Sequence, residues 1–212
     1  MVAPPLLLLG APLTPMLRGL PVAARQRLLK PLVRNRSVRR AYDYLTHPMV
    51  AAVLFLGTLF FWQGPWTHDL AVRNGGVHYV MHFSMLMAGM LFWWVVVDPK
   101  PHRSRLPYSL RALYLGLLTI PNTLLGAIVA FSGSVLYTAY GAPERLWGIS
   151  PLTDQAVGAA ILWIPGDMML AAGAFVMIGL WLNEDERKHL AKPARGAAGY
   201  ASRGPTGGLE SP

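Results

Sequence analysis

Two histidines stand one helical turn apart in "HYVMHFSMLMAGMLFWWVVVD", residues 78–98, a run otherwise apolar enough to cross a membrane. On a helix, positions i and i+4 share a face, so His78 and His82 can both point at one metal ion or one partner. Met85 follows His82 by three residues and falls on the same side; Met81 is the immediate neighbour. Imidazole together with thioether suits copper better than magnesium or calcium. His68, in the connection before this run, and Asp154, at the start of the last apolar run, complete a candidate metal set of His78, His82, His68, Asp154 and Met85 for transient copper. The competing reading is plain: an interfacial histidine pair bonded to water or carbonyls, and methionines that pack. A haem is disfavoured, because its axial ligands approach from opposite faces and no other span carries an interior histidine. His47 precedes Pro48 and reads as a helix start, whereas His102 and His189 fall in charged, solvated stretches.

A second group lies deeper. Asp167, in "LWIPGDMML", sits near the middle of the last apolar run, where an ionisable side chain costs about 3 kcal/mol or more. Asn122 follows Pro121 near the middle of the run before it, so the two can meet inside a bundle. Such a pair either fixes helix packing or carries a proton or ion.

The elements that must hold these groups follow from composition. Of 212 residues, 53% are hydrophobic and 14% charged, and several apolar runs approach the roughly 20 residues a bilayer core requires. We read full spans at about 47–63, 78–97, 110–138 and 154–182, with a partial span at about 2–17. Pro121 and Pro165 should kink the two long ones. The fold class is therefore all-α: a polytopic membrane helix bundle of about five spans over 1–182. The Gly- and Pro-rich residues 183–212 read as a disordered cytoplasmic tail. The net charge of +9 lies in the connections, at 18–46, 99–111 and beyond 182, while Arg73 and Arg145 are the basic residues of the other two. That pattern indicates membrane-flanking charge rather than nucleic-acid binding, and it places the basic connections and the C-terminus in the cytoplasm. His68, His78, His82 and Asp154 then face outward. The first segment would have to start outside, which implies a translocated N-terminus or helices before Met1. With no cysteine, thiolate metal sites and disulfides are excluded. No phosphate-binding loop or Ser-His-acid arrangement is visible, so a non-enzyme is expected.

Several segments together, "VAPPLLLLGAP" at 2–12, "HFSMLMAGMLFWW" at 82–94 and "YTAYGAPERLWGISPLTDQAVGAAILWIPG" at 137–166, resemble the CtaG family of caa(3)-type cytochrome c oxidase assembly factors. The resemblance implies a multi-pass protein of the bacterial plasma membrane. Its partners would be cytochrome c oxidase subunits and its task help in copper-centre formation. It carries over to His78, His82 and the "DQ" of Asp154 and Gln155. It also implies further helices, with another histidine pair, upstream of the "VAPPLLLLGAP" segment. Two other functions stay open: a proton- or ion-coupled transporter working through Asp167 and Asn122, and a metal-free membrane scaffold.

Overall fold

The computed structural model describes residues 3–10, 34–97, 104–141 and 148–201, and single residues at 19, 21, 27 and 31; the side chains of Tyr140 and 191–201 lie outside the description. Seven α-helices occupy the described residues: α1 (Ala3–Leu9), α2 (Arg36–Leu45), α3 (Pro48–Gln63), α4 (Pro65–Arg73), α5 (Gly75–Val96), α6 (Tyr108–Ala130) and α7 (Pro151–Ala201). A short 3-10 turn, Thr138–Gly141, lies between α6 and α7.

The breaks between helices have local causes. Pro48 and Pro65 sit at the first helical position of α3 and α4, where the missing N–H costs nothing. His47 is the residue before α3, as the sequence suggested. Asn74 caps α5, its Oδ1 accepting from the Gly76 and Val77 amides at 2.9 and 3.2 Å. Gly75-Gly76 follow it, so His78 becomes the fourth residue of α5. α6 stops at Ala130 rather than near 138, because Ser132-Gly133-Ser134 favour turn geometry although the apolar run resumes at Val135.

Among the described residues, three helices are long and apolar enough to cross a membrane: Gly75–Val96, Tyr108–Ala130 and Pro151–Leu190. α2 and α3, bent by 67° at their junction, qualify together as a fourth. The expected fifth span rests on 2–17, of which 2 and 11–17 lie outside the described residues. α7 runs on past Leu182 into the stretch whose composition suggested disorder. Lys188 meets Glu184 at 2.8 Å and Arg187 Nε meets Asn183 Oδ1 at 3.2 Å, each four residues apart, which supports an exposed helix.

α6 packs along α7, α3 along α5, and α1 lies against α5. Small residues set these approaches. A Cβ on Gly126 would lie 2.4 Å from the Trp163 Cβ, and one on Gly89 2.9 Å from Pro4 Cγ. Lipid is as apolar as leucine, so such close packing, rather than hydrophobic burial, holds membrane helices together. The two helix pairs share one aromatic core. Phe92 stacks on Phe55 and on Tyr114, with ring centroids 4.5 and 5.5 Å away, and Trp93, Leu115, Leu118 and Leu170 close around it. Trp93 and Trp62 are buried, and Trp62 Nε1 donates to Ser84 Oγ at 2.8 Å. Trp94 reaches the Tyr42 hydroxyl at 2.7 Å.

Candidate functional site

α4, the start of α5, the 131–141 connection and the start of α7 gather at one end of the bundle. There the His78 and His82 Nε2 atoms lie 2.9 Å apart, their rings edge to face. Both residues are exposed. One neutral ring donates to the other in this arrangement. The same separation suits a shared metal: with each Nε2 at ~2.0–2.1 Å from the ion, the two bonds would meet at roughly a right angle. Met85, half-buried, lies one turn further along α5. It lines an apolar cavity of about 310 Å³ together with His82, Thr58 and Trp93. The pair, its methionine neighbour and the cavity therefore form one continuous surface.

His68 and Asp154 do not join them. Among the described residues no three His, Asp or Glu side chains are gathered so as to hold a metal ion. His68 is half-buried and stacked on Tyr137, centroids 4.1 Å apart, and the Tyr137 hydroxyl is directed at the Gln63 carbonyl at 3.1 Å. Burial pushes the His68 pKa down, against a smaller upward pull from Asp69. Burial by itself would push the Asp69 carboxyl up. Hydrogen bonds from the Thr138 hydroxyl and the Ala139 and Thr138 amides, with Arg73 nearby, outweigh it and hold the group below its usual range. Asp69 thus caps the 3-10 turn. Asp154 is exposed in the first turn of α7. Its neighbour Gln155 is 2% exposed and ties down the connection. Oε1 accepts from the Leu136 amide at 2.7 Å, and Nε2 donates to the Ser134 carbonyl at 3.2 Å.

The deep group closes on itself. Asp167 Oδ1 accepts from Asn122 Nδ2 at 2.7 Å; Oδ2 accepts from Thr123 Oγ1 at 2.5 Å and Trp163 Nε1 at 2.6 Å. The Asn122–Asp167 meeting was legible from position; Thr123 and Trp163 were not singled out. Trp163 lies four residues before Asp167 on α7, and Gly126 makes room for it, a spacing that could have flagged both.

At the opposite end Arg111, 5% exposed, donates to the Leu106 and Val96 carbonyls at 2.7 and 3.0 Å, holding the last turn of α5. Cationic donors stabilise helix C-termini in this way. His102 lies outside the described residues.

Long apolar helices, a mid-bundle carboxylate closed by neutral donors and an exposed histidine pair at one end define the class: an all-helical membrane protein. The model of the cytochrome c oxidase caa3 assembly factor family (Caa3_CtaG) matches residues 1–184, and the chain belongs to that family. It is 30% identical over 192 residues to Uncharacterized protein Mb0105 of Mycobacterium bovis and to Uncharacterized protein MT0111 of Mycobacterium tuberculosis, matches that cover 88% of this chain and 29% of each relative. It is 26% identical over 207 residues to Uncharacterized protein ML1998 of Mycobacterium leprae, covering 95% of this chain and 31% of that one. The chain thus spans less than a third of the length of these curated relatives. No solved structure matches it.

Proposed function

We propose that the protein serves assembly of a caa3-type cytochrome c oxidase by holding copper in transit at the outer face of the plasma membrane. His78 and His82 are its ligands and Met85 an auxiliary one. The observation that carries this reading is the 2.9 Å separation of two exposed Nε2 atoms on one turn of α5. Two imidazoles with open positions beside them bind a cargo ion without enclosing it, which release to an oxidase subunit requires. The outer placement follows from charge: the opposite end of the bundle adjoins the basic connections, which the positive-inside rule keeps in the cytoplasm. His68 and Asp154, held apart from the pair, drop to structural roles in this reading.

The test is copper binding by the purified full-length protein in detergent, alongside the copper content of the oxidase assembled in cells. Stoichiometric copper, lost together with oxidase copper in the His78→Ala, His82→Ala double variant, supports the proposal. A folded wild-type protein that binds no copper, with normal oxidase in the double variant, sinks it and leaves a metal-free scaffold. The transporter reading loses ground at Asp167, whose oxygens are already taken by three neutral donors. Proteoliposomes that move an ion in an Asp167-dependent way would restore it.

A further inference from the structure

The end of the bundle away from the histidines carries a second, polar recess of about 760 Å³ between the 104–108 segment and α7. Its walls include Ser104, Arg105, Tyr108, Leu180, Asn183 and Arg187. Its level along α7 is telling. The apolar run of that helix ends at Leu182 and its polar run begins at Asn183, with charge from Glu184 on, so the recess straddles the point where the helix leaves hydrocarbon. That is the depth of a lipid phosphate.

We infer that this recess binds the headgroup of an anionic phospholipid, with Arg105 and Arg187 as its cationic donors. Guanidinium groups match phosphate oxygens bidentately, and basic recesses between membrane helices take acidic headgroups in this manner. Leu180, one turn before Glu184 on the apolar side of α7, offers an apolar floor toward the membrane, fit for the glycerol backbone and the first acyl carbons.

The existing contacts of the two arginines do not prevent this. Arg105 Nη2 meets Asp43 Oδ1 at 2.6 Å, but both side chains are more than half exposed, at 52% and 57%. An ion pair that open contributes little and is readily exchanged. Arg187 donates its Nε–H to Asn183 Oδ1 at 3.2 Å. Glu184, the acid lining the same recess, stands against three arginines there, Arg105, Arg111 and Arg187, so the lining keeps a net positive charge.

Native mass spectrometry of the full chain released from detergent, with phosphatidylglycerol, phosphatidylcholine or inorganic phosphate added, tests the assignment. Retention of phosphatidylglycerol over phosphatidylcholine is expected, falling about fivefold for each of Arg105→Gln and Arg187→Gln. Arg36→Gln and Arg39→Gln, on α2 outside the recess, should leave retention unchanged, and a paired Arg105→Lys, Arg187→Lys variant should recover part of it. Thermal melting of each variant separates lost binding from lost fold. Equal retention of the two lipids, or equal losses from the α2 variants, overturns the inference. Displacement of phosphatidylglycerol by millimolar inorganic phosphate also overturns it, since the recess would then be a site for a soluble anion.

Discussion

Asp167 and the His78–His82 pair both place polar atoms in apolar helices, and their surroundings are opposite. The Asp167 carboxylate receives three hydrogen bonds from two helices, and Gly126 gives up its side chain so that one donor, Trp163, fits. The histidines are exposed, and their Nε2 atoms hydrogen-bond to each other. Saturated polar groups lock a membrane bundle together. Groups with spare valence at its rim are left for something that arrives and departs. A polar residue in a span is thus better judged by its unfilled bonding capacity than by its depth.

Substitutions can break this contrast, and the largest effect belongs to the saturated group. Asp167→Leu strands Asn122, Thr123 and Trp163, so we expect a loss of about 1–3 kcal/mol in reversible unfolding from detergent micelles. Copper bound per folded molecule should stay at the wild-type level. Copper lost from a variant that is still folded would merge the two regions into one site. Gly126→Ala comes next. A methyl so near the Trp163 Cβ forces α6 and α7 apart, and overpacking of this kind costs about 1–3 kcal/mol. The indole fluorescence of Trp163, read in a background lacking the other tryptophans, should shift with it.

The open group should answer the other way. His78→Ala and His82→Ala each lower copper affinity by at least about tenfold, since losing a ligand costs more than losing its outer support. Unfolding stability should change by less than about 0.5 kcal/mol, as for other exposed positions. Competition with a chromogenic copper chelator reads the first quantity and micellar unfolding the second. Met85→Leu should fall between these and wild type in affinity.

The smallest effect is one of pH, and it sharpens the contrast between His68 and the pair. An unfolded His68 titrates near 6.5 and the folded one lower. Between those values the unfolded chain binds more protons, so this contribution is complete above about pH 6.5 and declines as the pH drops below it. Melting of wild type from pH 7 to pH 5 should therefore fall more steeply than that of His68→Gln. An equally steep fall in the variant would remove His68 from the account.

How much of this was legible depended on whether the cause was local. The helix start at Pro48, the i,i+4 histidines and the mid-span acid follow from residue types at short spacing, and they reappear in the fold, whereas α4 lies in a stretch that read as a connection. The tertiary roles did not. Gln155 stood beside Asp154 as half of a motif, yet it ties the 131–137 connection while Asp154 faces outward. Arg111 counted only as flanking charge, whereas it holds the Val96 carbonyl at the end of α5, which requires knowing that α6 begins where α5 ends. Trp93 and Trp62 lie in the core, which hydropathy could not tell, because it does not separate a ring in the core from one in the headgroups. His68 sat on the same end of the chain's topology as the pair, but its stacking on Tyr137 depends on a loop pairing that no local pattern encodes.

The fit of Trp163 into the space above Gly126 also fixes the register of the hairpin. A slip of one helical turn, about 5.4 Å, would set the indole against a residue that has a side chain and carry Asp167 away from Asn122 and Thr123. The two helices therefore dock in one alignment, whatever the length of chain that joins them. Insertions in that connection outside the stretches held by Gln155 and Asp69 should be tolerated, and a single residue inserted within α6 between Asn122 and Gly126 should not.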